Sequence, residues 1–325
     1  MSFSQRARRF ATGIVSQHLI WLILLVLVCI GLFVPGFLST RNVLNVLWAA
    51  APLGATVLGM FFVMLMGGLD LSLESTFAFA PTVAIMLMTV WMPDIVTPAV
   101  AIVVTLLVGV LVGALNGFMS VKLRVNPFLV TLGTLLVLRG LVVYLIPEGV
   151  YYLPKEFTFL GGERVLGDIP LAIFVFVGLY IIGHVIINLH SFGKNVYAIG
   201  NNEAAAFVAG INVARVKILT FVFAGLFAAV GGLLEVGRLR SVVADLGEGD
   251  ILMVFAAAIL GGTSLSGGEG RVTGVFAAVL VIAIIENLMN LYGVEPSIRQ
   301  VVFGLILLTA IMVASLQKRV RTASV

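Results

Sequence analysis

Apolar runs of about 20 residues recur along the whole chain, and they constrain its fold more than any other feature. A helix of about 20 apolar residues spans a bilayer, where the backbone must satisfy its own hydrogen bonds. Hydrophobic residues make up 61% of the 325 positions and charged residues only 10%, whereas soluble domains contain about 25% charged residues. This composition, with a mean hydropathy of +1.19, excludes a soluble enzyme or a nucleic-acid-binding protein. We therefore predict an all-α polytopic membrane protein.

Charges and glycine or proline residues divide the apolar sequence into ten runs, although eight to eleven spans are compatible with the pattern. The predicted spans are residues 19–38, 45–66, 73–91, 97–118, 127–147, 170–189, 216–236, 250–263, 272–291 and 299–316. The run at 250–263 is short for a full crossing, so it is expected either to start earlier or to form a broken or re-entrant helix. The whole chain, 1–325, is expected to form a single transmembrane domain.

Lysine and arginine are unevenly distributed between the two sets of loops. Cytoplasmic loops of membrane proteins are enriched in these residues. In this chain one set of loops carries twelve lysines and arginines and the other set carries six, while Arg139 lies inside a span. The richer set includes both terminal segments, so both termini are predicted to be cytoplasmic. The first run is expected to be a retained helix, because it is long enough to span and no A-x-A-like cleavage site follows it.

Two glycine-rich breaks interrupt the apolar sequence, GGLDLS at 67–72 and GGTSLSGGEGR at 261–271. Paired glycines free the backbone from helical geometry, and Asp70 or Ser72 is placed to cap the following helix. An acid beside a broken helix at membrane depth is either such a cap or part of a functional site. The glycines expected to break the backbone are Gly67, Gly68, Gly261, Gly262, Gly267 and Gly268.

The second break contains the string LSGGE at 265–269, which is close to the LSGGQ signature of ABC-type ATPases. An ATPase also needs a phosphate-binding G-x-x-x-x-G-K-[ST] loop, and the only Gly-Lys pair, Gly193-Lys194, is followed by asparagine. The chain itself is therefore predicted not to hydrolyse ATP. Both breaks share the pattern G-G-x-x-L-S, which indicates either an internal duplication or a chance match.

Few polar side chains lie within or beside the predicted spans. Arg139 and Glu286 lie about 18 and 21 Å along helices that enter from the same side, so they are expected to pair. The alternative is that Arg139 snorkels outward or bonds backbone carbonyls. The other polar groups either bond between helices as packing contacts or together line a path for a hydroxyl-rich solute. The candidate pathway residues are Asp70, Asn116, Thr131, Arg139, Glu286, Asn287 and Asn290. Neither the three histidines nor Cys29, the single cysteine, suggests a metal site.

The predicted cytoplasmic segment at about 190–217 contains a short helix, expected at 203–209. Asn202 is a good N-cap and Gly210 a good C′ residue. The side chains expected on its exposed face are Ala206, Phe207 and Val208. A helix of two turns is unstable alone in water, so it is expected to dock on a partner or to pack against the protein's own helix ends.

Several short strings follow one another in a fixed order along nearly the whole chain. They are GGLDLS (67–72), LNG (115–117), NPFLVTLGTLLVLRG (126–140), YAIGNNEAAAFVAGINVARVK (197–217), LGGTSLSGGEG (260–270) and the segment 290–300. This ordered set resembles the permease subunit of bacterial ABC importers for simple sugars, the ribose/xylose-type permeases.

The resemblance implies import of a solute delivered by a periplasmic binding protein. Two permease subunits, identical or paralogous, would enclose the pathway, and two cytoplasmic ATPase subunits would bind ATP and Mg²⁺, so no cofactor is expected in this chain. The chain would lie among lipids of the bacterial inner (cytoplasmic) membrane, with no nucleic-acid partner. The short helix would be the coupling helix that docks on the ATPase, through Asn202, Glu203, Ala205, Ala206, Phe207 and Gly210.

Three positions depart from the family pattern. Glu74 stands where glycine is usual, Ala204 where a second glutamate is common, and Glu286 where asparagine is frequent. The two glutamates would suit a polyol, an amino sugar or another polar solute. The alternatives are a branched-chain amino acid permease of similar architecture, which the GGTSLSGGEG string disfavours, and an ion-coupled transporter in which Asp70 or Glu286 titrates.

Overall fold

The computed structural model describes residues 20–322, which form a bundle of helices with very little sheet. In chain order the elements are α1 (Ile20–Gly31), α2 (Thr40–Leu65), α3 (Leu73–Met86, continued by a π-helical turn at Leu87–Trp91), α4 (Pro98–Val121), α5 (Pro127–Leu145), β1 (Val150–Tyr151), α6 (Lys155–Gly162), β2 (Arg164–Val165), β3 (Ile169–Pro170), α7 (Leu171–His184, continued by a π-helical turn at Val185–Leu189), α8 (Ser191–Asn201), α9 (Glu203–Val208), α10 (Val213–Leu239), β4 (Ser241–Val242), α11 (Asp250–Leu260), α12 (Val272–Leu291) and α13 (Pro296–Thr322).

Seven of these helices are long and apolar enough to cross a membrane, namely α2, α3, α4, α5, α7, α10 and α12. Shorter apolar helices within the described residues lie at Ile20–Gly31, Asp250–Leu260 and Ser297–Met312. All ten positions coincide with the predicted apolar runs, so the all-α membrane fold is confirmed. A count of ten crossings stays a prediction, because three of the ten apolar helices have only 10–17 described residues. The cytoplasmic location of both termini also stays a prediction, because residues 1–19 and 323–325 lie outside the described part.

The centre of the bundle is formed by α2, α3, α10 and α12, which are mostly buried, while α4, α5 and α7 are mostly exposed. A stripe of small residues allows α4 to pack closely on α10: Gly109, Gly113 and Gly117 face the backbone around Phe221 and Gly225. A Cβ at Gly113 would overlap the Phe221 carbonyl oxygen. Such close backbone contact stabilises helix pairs in lipid, where hydrophobic burial gives little.

Capping residues set the starts of the helices that position the site. Asn126 Oδ1 accepts a 2.9 Å hydrogen bond from Phe128 N at the start of α5, and Pro127 occupies its first turn. Thr97 and Pro98 play the same two roles in α4. Proline costs nothing at the first helical position, because its missing N–H would have no partner there.

The two ends of the bundle differ in structure. At one end, called here the α9 end, α2 and α11 finish and α8 and α9 follow α7. At the other, called the loop end, β1 pairs with β4 and β2 pairs with β3. The sequence did not predict α6, α8 or these two strand pairs. The short run at 250–263 is a short helix, α11, which starts no earlier than Asp250 because Gly247 and Gly249 take left-handed conformations before it.

Candidate functional site

The residues proposed from the sequence to line a pathway fall into two separate groups. One group is packed between α3, α4 and α5 towards the α9 end and contains Asp70, Asn116 and Thr131. The other lines a cavity towards the loop end and contains Glu286, Asn287 and Asn290. Arg139 lies between them, and its ion-pair partner lines the cavity.

Asp70 is completely buried in the break that precedes α3. Its Oδ1 accepts a 2.6 Å hydrogen bond from Ser72 Oγ and a 3.0 Å bond from Ser72 N, an arrangement typical of an Asx turn. Ser72 occupies the N-cap position of α3, but its side chain makes no capping bond there. Asp70 therefore shapes the turn before the helix, and its Oδ2 has no hydrogen-bond partner among the described residues.

A chain of hydrogen bonds continues from this turn into α4 and α5. Asn116 Nδ2 donates to Ser72 Oγ at 2.8 Å, and Thr134 Oγ1 donates to Asn116 Oδ1 at 2.7 Å. Thr131 Oγ1 lies 3.5 Å from the Leu69 carbonyl oxygen. Asn116 and Thr131 are fully buried, and none of these residues lines either described cavity. The geometry favours the packing interpretation for this group.

The predicted ion pair between Arg139 and Glu286 is wrong. Arg139 Nη2 lies 3.3 Å from Glu74 Oε1, and its Nη1 donates to the carbonyl oxygens of Ala244 and Leu246 at 3.2 and 3.0 Å. The physical reason is helix placement: α5 packs against α3 and α4, whereas α12 packs against α2 and α11. Equal depth along two helices does not bring their side chains together when the helices are not neighbours.

The Arg139–Glu74 pair connects several elements at the middle of the bundle. Glu74 Oε2 also accepts a 3.3 Å hydrogen bond from Ile251 N, at the start of α11. The pair therefore ties α3 and α5 to the segment that leads into α11. Both side chains are largely buried, and removing one partner of a buried pair leaves an uncompensated charge.

A cavity of about 500 Å³ lies between α2, α3, α10, α11 and α12. Its polar lining is Asn45, Thr56, Glu74, Glu235, Arg238, Asp250, Glu286, Asn287 and Asn290, and its aromatic lining is Trp48 and Phe77. This combination of acceptors, donors and aromatic faces is typical of small-molecule sites.

The cavity is acidic. Arg238 pairs with Glu235, with Nε–Oε2 and Nη2–Oε1 distances of 3.0 and 2.5 Å. Asp250 and Glu286 form no salt bridge within the part of the chain that the structure describes. Asp250 lies within electrostatic range of three other carboxylates, including Glu286. The cavity thus offers carboxylate oxygens that can accept hydrogen bonds from a solute.

Among the polar residues of this cavity, sequence reasoning did not propose the charged residues Glu235, Arg238 and Asp250, nor Asn45 and Thr56. Arg238 was assigned to a loop, whereas Glu235 and Asp250 lie at the ends of the predicted spans 216–236 and 250–263. The i,i+3 spacing of Glu235 and Arg238 on one helix face is a signal that would have found these two residues. Among the predicted residues, Asn287 exchanges two 2.9 Å amide hydrogen bonds with Asn42, which joins α12 to α2.

The short helix α9 is built as the sequence predicts, with one correction. Ala205 N donates to Asn202 Oδ1 at 2.9 Å, and Gly210, with φ of +84°, ends the helix. Ile211 N then donates to the Ala206 carbonyl oxygen, which completes a Schellman motif. Phe207 is exposed as predicted, but Ala206 is buried because it faces the body of the protein.

The second exposed apolar side chain of α9 is Val208, and the helix is anchored beside it by a surface ion pair. Glu203 Oε2 lies 2.6 Å from Lys217 Nζ, at the start of α10. The helix thus presents two apolar side chains, Phe207 and Val208, that the described residues leave uncovered.

The two glycine-rich breaks meet at the α9 end. A Cβ on Gly267 would lie 2.6 Å from Gly67 N, so the two backbones are in direct contact. Nevertheless, equivalent positions of the shared G-G-x-x-L-S pattern do not occupy equivalent positions at the ends of their helices. Gly67, the first glycine of its motif, is the left-handed residue that ends α2, whereas Gly262, the second glycine of its motif, ends α11. This offset of one residue favours a chance match over a duplication.

Known proteins match the chain over most of its length. The family model for the permease component of branched-chain amino acid transport systems matches residues 42–311. The chain is 37% identical over 290 residues to the ribose import permease protein of Bacillus subtilis (strain 168), covering 89% of each chain. It is 37% identical over 288 residues to the L-arabinose transport system permease protein of Escherichia coli (strain K12), covering 87% of this chain and 85% of the relative.

A third relative extends the match further. The galactose/methyl galactoside import permease protein of Escherichia coli (strain K12) is 32% identical over 320 residues, covering 92% of this chain and 94% of the relative. No solved structure gives a significant match. The chain is therefore a multi-pass membrane protein that belongs to this family of transport-system permease components.

Proposed function

We propose that this chain is the membrane-spanning permease subunit of an ABC importer for a sugar or sugar-like solute. The observation that carries the proposal is the near full-length match, at 32 to 37% identity, to permeases named for ribose, arabinose and galactose. The family model is described by branched-chain amino acid transport, so the cavity must help to decide between the two solute classes.

The cavity supports the sugar class. Its lining combines the carboxamide groups of Asn45 and Asn290 with the carboxylates of Asp250 and Glu286, beside Trp48. Sugar hydroxyls can donate to these oxygens, while the ring packs on the indole. The apolar side chain of a branched-chain amino acid would instead leave buried polar groups without partners, which is costly.

The proposed assembly has two permease subunits, two cytoplasmic ATPase subunits and a periplasmic binding protein in the bacterial inner membrane. Residues 1–325 form one transmembrane domain with both termini and α9 in the cytoplasm. In this arrangement ATP binding closes the ATPase pair, displaces α9 and rocks the helices around the cavity. The cavity opens to the binding protein at the loop end, and the ATPase docks at Phe207 and Val208, which are exposed.

Co-purification tests the assembly most simply. The protein is tagged at its C-terminus, extracted in mild detergent together with the products of neighbouring genes, and its companions are quantified by mass spectrometry. The proposal predicts an ATPase in equal amount. A chain that purifies alone, and that moves solute into vesicles on an ion gradient, would contradict it.

Phe207→Asp tests the docking role of α9. Phe207 is 72% exposed, and a charge at the centre of an apolar contact is costly to desolvate. We expect the ATPase to be lost from the purified complex while the melting temperature of the permease is unchanged. The matched control is Leu166→Asp, which changes an 82% exposed leucine at the loop end and should retain the ATPase.

The solute class is tested by uptake into proteoliposomes that contain the assembled complex, the binding protein and internal ATP. Radiolabelled ribose, arabinose, galactose, glucosamine and leucine are compared. The proposal predicts ATP-dependent uptake of at least one of the four carbohydrates. Uptake of leucine alone would assign the chain to the amino acid branch instead.

A further inference from the structure

Helix α8 makes two side-chain contacts with the turn that joins α11 to α12. Tyr197 Oη donates a 2.7 Å hydrogen bond to the Gly270 carbonyl oxygen. Asn201 Nδ2 lies 3.3 Å from the Gly268 carbonyl oxygen and donates also to the Tyr197 carbonyl oxygen at 2.8 Å. Burial raises the pKa of the Tyr197 phenol, more than nearby Arg271 lowers it, so this hydroxyl keeps its proton.

The same turn is locked to the end of α2 by backbone contacts alone. Gly268 N donates to the Leu65 carbonyl oxygen at 2.9 Å. A Cβ on Gly267 would lie 3.0 Å from the Gly200 carbonyl oxygen, and a Cβ on Gly200 would lie 2.5 Å from Gly268 N. These contacts leave no room for a side chain, so the ends of α2 and α8 pack directly against the 261–271 turn. Tyr197 and Asn201 add side-chain hydrogen bonds to this steric contact between α8 and the turn.

Three of the elements that meet at this point, α2, α11 and α12, reach the cavity at their other ends. Asp250 begins α11, Glu286 and Asn290 lie at the end of α12, and Asn45 and Trp48 lie near the start of α2. Each helix is a rigid connection between its two ends. A displacement of the 261–271 turn therefore changes the lining of the cavity.

Helix α8 is also directly connected to α9. Asn202, the only residue between the two helices, donates its N–H to the Ala198 carbonyl oxygen and caps α9 with its side chain. Movement of α9 is thus passed to α8 without an intervening flexible linker.

From this geometry we propose that Tyr197 and Asn201 are positioning residues that clamp α8 to the 261–271 turn and transmit the displacement of α9 to the cavity. The inference rests on the proposed function, since it assigns a route for the motion that the ATPase would impose. The side chains act through the turn and touch no solute.

Tyr197→Phe removes one hydroxyl and nothing else. The matched control is Tyr180→Phe, because Tyr180 Oη likewise donates a 3.0 Å bond to a backbone carbonyl oxygen, that of Gly54, and is buried on α7 away from the clamp. Both variants lose one hydrogen bond of similar strength. Each assembled complex is assayed for ATP hydrolysis and for uptake of radiolabelled ribose, arabinose or galactose, whichever the unmodified complex accumulates.

The clamp predicts that Tyr197→Phe lowers the number of solute molecules taken up per ATP hydrolysed by about fivefold, the factor that one hydrogen bond is worth. Asn201→Ala should act in the same direction. Assembly and ATP hydrolysis should persist, and Tyr180→Phe should leave the ratio unchanged. An unchanged ratio in Tyr197→Phe, or an equal loss in both tyrosine variants, would overturn the proposal.

Hydrogen–deuterium exchange tests the clamp without any transport. Amide exchange in 261–271 should rise about fivefold in Tyr197→Phe and should not change in Tyr180→Phe. If the unmodified complex takes up none of the sugars, the proposed function fails, and exchange still decides the clamp. Exchange in this turn that is the same in the unmodified chain and in Tyr197→Phe would refute it.

Discussion

Two polar regions lie in the same apolar bundle, and only one of them encloses space. In the packed network, Asp70, Ser72, Asn116 and Thr134 bond to one another between helices. Around the cavity, by contrast, Asp250 and Glu286 face a volume of about 500 Å³ and form no ion pair with described residues. Polar residues that look alike in the sequence therefore differ in the structure: those of the packed network are bonded to protein groups, whereas those around the cavity can bind a solute.

Whether a polar group is bonded to protein groups or faces the cavity indicates whether its role is structural or concerns transport. A buried polar group whose partners are all protein groups stabilises one arrangement of helices, because any other arrangement leaves it unsatisfied. A polar group that faces a cavity is satisfied by water or solute, so its loss costs binding more than stability. We therefore propose that the packed network stabilises the fold and that the cavity lining binds the solute.

The largest effect is expected at the boundary between the two regions, where Arg139 pairs with Glu74. Arg139→Gln should lower the free energy of unfolding by about 3–5 kcal/mol, because it leaves a buried carboxylate without its charge partner. In a double-mutant cycle measured by thermal denaturation in detergent, Arg139→Gln should couple to Glu74→Gln and be additive with Glu286→Gln. Coupling of Arg139→Gln to Glu286→Gln instead would contradict the structure and support an Arg139–Glu286 ion pair.

Within the packed network, Asn116→Leu should lower the free energy of unfolding by about 1–3 kcal/mol, since Ser72 and Thr134 lose a buried partner. Uptake per folded complex should stay near that of the unmodified protein. The measurement pairs denaturation with uptake normalised to folded protein. A large loss of normalised uptake would indicate that Asn116 belongs to the solute pathway and would contradict the distinction between the packed network and the cavity.

At the cavity, Glu286→Gln should show the opposite pattern. A hydrogen bond to a charged group contributes about 1.5–3 kcal/mol, so uptake at limiting solute should fall roughly tenfold. The free energy of unfolding should change by less than about 0.5 kcal/mol, because no described ion pair is broken. Uptake unaffected at every sugar tested would remove Glu286 from the solute site.

The sequence predicted the elements well where local signals define them. The apolar lengths located the long helices, and the predicted cap at Asn202 and stop at Gly210 are confirmed. The regular spacing of Gly109, Gly113 and Gly117 is also visible in the sequence, and it would have predicted that α4 packs closely on another helix. Helix length, capping and glycine spacing depend on residues close together in the chain, so these features can be predicted from the sequence.

Side-chain partners across the bundle were not predictable in the same way. The partner of Arg139 depends on which helices are neighbours, and depth along an axis carries no such information. The burial of Ala206 depends on which way α9 is rotated against the body, and a six-residue helix has too short a pattern to fix that. The cavity itself exists only once five helices are assembled.

Cysteine accessibility tests the central contrast most directly. The single cysteine is first removed by Cys29→Ala, and Glu286→Cys and Asn116→Cys are then made separately in that background. Membrane-impermeant maleimide is applied to right-side-out and inside-out vesicles, and labelling is quantified by mass spectrometry. We predict that position 286 is labelled from the outside and that position 116 is labelled from neither side. Labelling of position 116 as readily as position 286, or of position 286 only from the side that carries α9, would contradict the account.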